Sequence, residues 1–301
     1  DAHQADPTQS TLLAAAMAAA PLVQTFDYSY TANSDLLAGY TAQHGSSSFH
    51  VTKSYEAHRD LITQVQNTFG STVISRFGYV SDPAGRRTSI ANTGLAFADV
   101  GDAVNLYGYN PRSELTSAYR AWGSDPENPG DAVSGRSHRY SYDNIGNRIT
   151  ARNGRDIPAR EETYLANALN QYTQRTVPGH ADITGSADPA ATVTVNNEPV
   201  VRQGAYWHKD LEVDNLAGAA YPVVTTVGVK NNVGTNGEDA VTQDTGRVFV
   251  PKTPELFSYD ADGNMLSDGR CLYQWDAENR LIGVENRGGV ASRDWIKALY
   301  R

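Results

Sequence analysis

The chain has 301 residues and a mass of 32.6 kDa, enough for one large domain or two small ones. Its formal net charge of −9 and pI near 5.2 argue against the basic stripe of a nucleic-acid binder and against polybasic attraction to anionic lipid. No apolar run is long enough to span a bilayer, and the single Cys271 excludes an internal disulfide framework or a cysteine-built metal cage.

Seventeen tyrosines and 26 glycines against two methionines favour strands and tight turns over helices. Lysine occupies only five positions, so the cations are mainly arginines, which stack on aromatic rings. Residues 1–24 define no clear element. Their apolar run, Leu12 to Ala20, lacks the basic region that would precede it in a signal peptide. The opening on Asp1 rather than Met suggests a processed product or a fragment.

From residue 25 an aromatic-x-aromatic pair recurs, as Tyr28/Tyr30, Phe77/Tyr79, Tyr107/Tyr109, Tyr140/Tyr142, Phe257/Tyr259 and Tyr273/Trp275. Residues i and i+2 of a strand share a face, so each pair lays two rings on one side of a sheet. Turn formers follow, including Asp143 to Gly146, Asp260 to Gly263 and Asp276 to Asn279. Asp at the first place accepts a backbone amide two residues on, and Gly or Asn at the fourth tolerates positive φ. An aliphatic then returns in most units, at Leu36, Leu61, Leu115, Ile149, Leu266 and Leu281. Each unit reads as strand, tight turn, strand, with one face aromatic and aliphatic. A lone hairpin is marginal in water, so the units must stack to share a core. The patch Thr116 to Trp122 reads as a short helix.

Between Arg175 and Glu255 the repeat vanishes. Val177-Pro178-Gly179 and Pro251-Lys252-Thr253-Pro254 read as linkers. Between them, 182–185, 191–195, 206–213, 223–229 and 248–250 read as strands separated by turn clusters. Such a segment fits a small β-sandwich. From 177 to 255 it carries five basic against ten acidic residues, as an exposed appendage would. The predicted fold is therefore all-β: a curved or spiralling antiparallel sheet of hairpin repeats over 25–175 and 255–301, with a sandwich over 176–254.

Three stretches carry a family likeness: Tyr142-Asp143-Asn144-Ile145-Gly146-Asn147-Arg148-Ile149, Tyr259-Asp260-Ala261-Asp262-Gly263-Asn264-Met265-Leu266 and Trp275-Asp276-Ala277-Glu278-Asn279-Arg280-Leu281. They resemble the YD repeats of the Rhs family. Weaker copies lie at 55–61, 82–87 and 164–169, and the resemblance covers roughly 25–175 and 255–285. It implies a spiralling β-sheet shell around a hollow interior, often enclosing a toxin. Thr31, Glu56, Asn110 and Leu165 stand where the strict aspartate is expected, so those turns must close differently. Asp82-Pro83-Ala84-Gly85 is superficially similar to the family's self-cleavage motif, but Arg86 follows where leucine is expected. No core segment with a cleavage site is read before Arg301, so the chain looks like a piece of a shell. The segment Ile183 to Asn196 is similar to the opening of bacterial Ig-like modules.

No constellation for catalysis stands out. The seven histidines show no ligand spacing, and phosphate loops, nucleophile elbows and paired glycosidase carboxylates are not found. Asp260, Asp262, Asn264 and Asp268 alternate as calcium ligands do, but the repeat already explains Asp260 and Gly263. Cys271 reads as a small buried apolar residue. Tyr206 and Trp207 are the candidate ligand contacts, as a sugar-stacking platform; they are adjacent on a strand, so one of them should be core. The expected role is structural and non-catalytic, with no cofactor and no metal, in a secreted or envelope-associated shell. Expected partners are other repeats of the same longer polypeptide and an encapsulated polypeptide. The alternative is an adhesion module whose sandwich recognises a cell-surface glycan. Neither nucleic acid nor a membrane span is expected.

Overall fold

The computed structural model describes residues 25–286; the apolar run Leu12 to Ala20 and residues 287–301 lie outside them. The fold is all-β. Apart from single 3-10 turns at Leu95–Phe97 and Pro158–Arg160, every element among the described residues is a strand. The chain divides into two compact units at Gly78/Tyr79, inside a strand of the repeat region.

The first unit holds β1 (Thr25–Tyr30), β2 (Leu37–His44), β3 (Ser47–Tyr55), β4 (Ile62–Phe69) and most of β5 (Thr72–Ser81). Each pairs antiparallel with the next. The second unit opens with β6 (Arg87–Thr93), β7 (Ala103–Tyr109), β8 (Leu115–Trp122), β9 (Ala132–Tyr142), β10 (Arg148–Gly154), β11 (Glu161–Ala166) and β12 (Tyr172–Arg175). They too form an antiparallel meander. The patch 116–122 is thus strand, not helix: its alternate residues Ala118, Arg120 and Trp122 share one sheet face, and cross-strand pairing on both sides overrides local propensity.

The chain then leaves the meander for seven strands of its own: β13 (His180–Ser186), β14 (Thr192–Val195), β15 (Glu198–Pro199), β16 (Val201–Gln203), β17 (Tyr206–Glu212), β18 (Val223–Lys230) and β19 (Ala240–Arg247). Two sheets result, in the orders β13-β17-β16 and β15-β14-β18-β19. They pack through Val193, Val195 and Val224 on one side and Trp207, Ile183 and Leu211 on the other. The sequence pattern missed β19, because all eight of its residues are exposed and no apolar alternation marks it. The chain re-enters the meander as β20 (Glu255–Leu256), antiparallel to β12. A final sheet follows, from β21 (Ser258–Tyr259), β22 (Met265–Ser267), β23 (Cys271–Trp275) and β24 (Leu281–Asn286).

Departure and return lie side by side. Asn215, 3% exposed, donates from its amide to the carbonyls of both Val177 (3.1 Å) and Pro251 (2.8 Å), and the Val177 amide donates to the Thr253 hydroxyl. Arg175 on β12 reaches Glu255 at 2.5 Å. The excursion therefore starts and ends between neighbouring strands without breaking their register.

A register shift sits at the second aromatic of most repeats. It lies at Ser29/Tyr30, Ser54/Tyr55, Gly108/Tyr109, Ser258/Tyr259 and Gln274/Trp275, and opposite Tyr142 between Arg148 and Thr150. Each is a bulge on the strand that leaves the turn, and a bulge turns a side chain out of the pleat. This corrects the expected aliphatic face: Ile149 and Leu266, the extra residues of their bulges, are 42% and 38% exposed.

In the second unit's repeat turns the fourth residue lies at positive φ: Gly85 (82°), Ser113 (66°), Gly146 (94°), Asn170 (62°), Gly263 (89°) and Asn279 (59°). A β-branched side chain is strained there. Gly146→Val is expected to cost about 1–3 kcal/mol, whereas Gly146→Asn, the residue type found at 170 and 279, should cost well under that. Urea unfolding of the two variants checks the contrast.

Candidate functional site

The repeat turns are the first candidate, and one hydrogen-bond scheme recurs among those of the second unit. At Asp143 the amides of Ile145 and Asn147 donate to Oδ1, the Asn147 side chain donates to Oδ2, and the Gly146 amide donates to the Asp143 carbonyl. The Asp143 amide closes the ring on the Asn147 carbonyl. Asp260 repeats the scheme with Asp262, Gly263 and Asn264, and Asp276 with Glu278, Asn279 and Arg280. An amide oxygen does the same work at Asn110 and Asn167. The copy at 164–169 is therefore displaced: Leu165 lies within β11, and Asn167 takes the aspartate's place. The expectation that Asn110 would need another closure is corrected too, since its Oδ1 has the same reach as a carboxylate oxygen.

These carboxyls are held below their ordinary values. For Asp260 the leading cause is the Asn264 side chain, and for Asp276 the Arg280 amide. At Asp143 burial pushes the other way and is outweighed by Asn147 and the turn amides. All oxygens of Asp260 are thus engaged within its own turn. Asp268 is engaged separately, by the Cys271 amide (2.6 Å) and the Tyr273 hydroxyl (2.7 Å). The alternating oxygens at 260–268 do not converge, and among the described residues no group of three or more His, Cys, Asp or Glu is placed to hold a metal. Cys271 is half-buried, with its thiol pushed up by burial.

The second aromatic of the repeat has a role its spacing does not reveal: it reaches back to the preceding unit. The hydroxyl of Tyr55 donates to the Leu37 carbonyl (2.9 Å), Tyr109 to Arg87 (2.9 Å), Tyr142 to Leu115 (2.8 Å) and Tyr259 to Tyr172 (3.0 Å). Trp275 does it with its indole N–H, to Met265 (2.8 Å). Every acceptor is the first residue of the strand leaving the previous turn. A bulge leaves backbone groups outside the ladder, and the ring supplies the donor such a carbonyl needs. Arginines cover rings of the aromatic pairs, with Arg87 4.1 Å from the Tyr79 centroid, Arg86 4.9 Å from Tyr109 and Arg148 4.9 Å from Tyr140.

The second candidate is the seat of the sandwich on the meander. Arg160, with its side chain 5% exposed, lies between Asp182 of β13 (3.1 Å) and Asp210 of β17 (2.5 Å). His208 Nε2 lies 2.7 Å from Asp182, His180 Nδ1 lies 3.0 Å from Asp210, and Arg155 reaches Asp210 at 3.2 Å. Two host glycines admit the guest. A Cβ on Gly154 would overlap the Asp182 carboxylate, and one on Gly135 would fall 2.6 Å from His208. Burial raises Asp210, but the charge of Arg160 and hydrogen bonds from His180 and Arg155 outweigh it, so its carboxyl titrates below the usual range.

Tyr206 and Trp207 do not form an exposed platform. Trp207 is 6% exposed and belongs to the sandwich core. Tyr206 points the other way, edge-on to Trp122 with centroids 5.8 Å apart, and donates to the Ser134 carbonyl at 2.6 Å. The alternation of the strand sends one ring into each core. Nothing in the sequence announced Arg160, Asp182, His180, His208 and Asp210, which lie up to 50 residues apart.

No family model matches the chain, and no curated protein matches it. Among solved structures, the crystal structure of TcdB2-TccC3-TEV aligns with 91% of this chain at 12% identity and a TM-score of 0.34. The chain spans 14% of that structure's chain. No helix among the described residues is long and apolar enough to cross a membrane.

Removing Arg160 takes the buried guanidinium from between two partly buried carboxylates, so Arg160→Met is expected to cost about 3 kcal/mol in a thermal melt. Because Asp210 is depressed in the folded state, its stabilisation is complete above the ordinary carboxylate range and is lost as pH falls through the folded value. Melting temperature should therefore drop on acidification below about pH 4, and Asp210→Asn should flatten that drop while lowering the neutral-pH value.

Proposed function

We propose that this chain is a non-catalytic structural segment of a longer, secreted or envelope-associated Rhs-like β-shell that encloses a toxin or other cargo. The observation that carries the reading is the reach-back bond. Five units are completed by a donor from the next, through Tyr55, Tyr109, Tyr142, Tyr259 and Trp275, so such a unit is stable in company rather than alone. Tyr30 occupies the same place in its repeat as Tyr55 and Tyr142, yet it is 60% exposed and its hydroxyl has no partner among the described residues. Phe26 and Tyr28 beside it are 52% and 60% exposed. A sheet edge bearing three open rings is an aggregation liability unless it is paired, and a preceding repeat of the same design would supply both the strand and the carbonyl for Tyr30. The acidic sandwich is, on this reading, an Ig-like appendage of the shell wall.

The structure of the complete polypeptide tests the proposal. A further hairpin on β1, with the Tyr30 hydroxyl on its strand-first carbonyl and a second polypeptide segment enclosed, is the expected result. A complete polypeptide with β1 facing solvent and nothing enclosed would overturn it. Stability gives a second check. Tyr142→Phe should cost about 0.5–1.5 kcal/mol in this chain and in the complete polypeptide alike, while Tyr30→Phe should cost that much only in the complete polypeptide.

A further inference from the structure

The wall of one cavity is at odds with the chain's charge. Behind the sandwich seat, β7, β8 and β9 line a space of about 520 Å³, capped by Tyr206. Volumes of this order hold small-molecule ligands. Its polar groups are two arginines, Arg120 and Arg136, with Asn105 and His138; its apolar walls include Tyr107 and Trp122. No carboxylate belongs to the wall, although acids outnumber bases in the chain by nine.

The backbone forces the two cations together. Tyr119 pairs with Ser137 and Ala121 with Ala132, so the single residue Arg120 on β8 faces the four residues 133–136 on β9. Gly135 lies in this bulge at φ 75°, and Arg136 after it lines the same cavity as Arg120. Burial and the charge of Arg136 both push Arg120 down, and the other groups acting on it are the phenols of Tyr107 and Tyr206. Its hydrogen bond to Asn105 is long, at 3.4 Å, and neither guanidinium forms an ion pair among the described residues. The charge of Arg136 also acts on the Tyr206 hydroxyl across the cavity. By contrast, Arg160 meets Asp182 and Asp210, and Arg175 meets Glu162 and Glu255.

We infer that the cavity between β7, β8, β9 and Tyr206 is a binding site for a small organic oxyanion, a carboxylate or phosphate monoester carried on a planar apolar body. Paired guanidinium forks match the two oxygens of such a group and lose their mutual repulsion when it enters. The rings of Trp122, Tyr107 and Tyr206 flank the remainder of the ligand, where aromatic faces and edges favour a flat partner. The site lies outside the repeat turns and does not depend on what the assembled polypeptide encloses.

Calorimetry on the full chain with phenyl phosphate and benzoate tests this, with inorganic phosphate and benzyl alcohol as controls. The aromatic anions are expected to bind one to one with dissociation constants below about 1 mM, inorganic phosphate at least about tenfold more weakly, and benzyl alcohol not at all. Arg120→Gln and Arg136→Gln should each weaken phenyl phosphate by about tenfold or more. Neither should lower the melting temperature, since each removes a like-charge repulsion. Arg136 is exposed, so its variant carries the test if Arg120→Gln fails to fold. No heat from either aromatic anion up to about 10 mM, or equal affinity in the Arg136→Gln variant, would overturn the assignment. So would binding of an acidic peptide without binding of either small anion.

Discussion

The repeat turns of the second unit share one dependency: a side-chain oxygen at the start of the turn that takes two backbone amides at once. Asp143, Asp260 and Asp276, and by amide oxygens Asn110 and Asn167, hold five residues in a closed ring. That ring fixes where the outgoing strand begins, and therefore where its bulge falls. The bulge exposes a carbonyl, and the next unit's aromatic is aimed at it. Remove the first oxygen and the later contacts lose their reference point, although none of them touches it.

Two kinds of bond thus divide the labour. The turns are local, built from residues up to four apart, and polar enough to close in water. The reach-back bonds span 10 to 87 residues, and all but the exposed one of Tyr109 are half-buried. Local rings give each hairpin its shape; distant ring-to-carbonyl bonds give each hairpin its neighbour. The thinness of the core follows, since the largest fully buried side chains are valines, Val104, Val133 and Val195. Polar closure and stacked Arg–Tyr pairs supply much of what a thick apolar core supplies elsewhere.

What could be read in the sequence follows the same divide. Asp143 with Gly146, and Asp276 with Asn279, are legible because Asx turns and left-handed φ have local signatures. The displaced turn at Asn167 was misassigned to Leu165 because counting from Tyr164 assumes a fixed offset between ring and turn. Trp207 and Tyr206 were legible as one core ring and one other, since alternation is also local. The return of the chain beside β12, the carbonyls at Leu37 and Leu115, and the cluster around Arg160 were not legible. Each depends on which strands become neighbours, and nothing within a few residues encodes that.

The strap at Asn215 has a consequence for how such a chain changes over generations. Because the excursion leaves and returns through one gap between β12 and β20, a guest of any length could be spliced there without shifting the phase of the host repeats. The host has nevertheless adapted to this guest. Gly135 and Gly154 are hollowed to receive His208 and Asp182, and Arg160 is buried on the strength of the guest's acids. Excision would leave a charged scar rather than a healed surface, so the graft is easy to acquire and hard to lose.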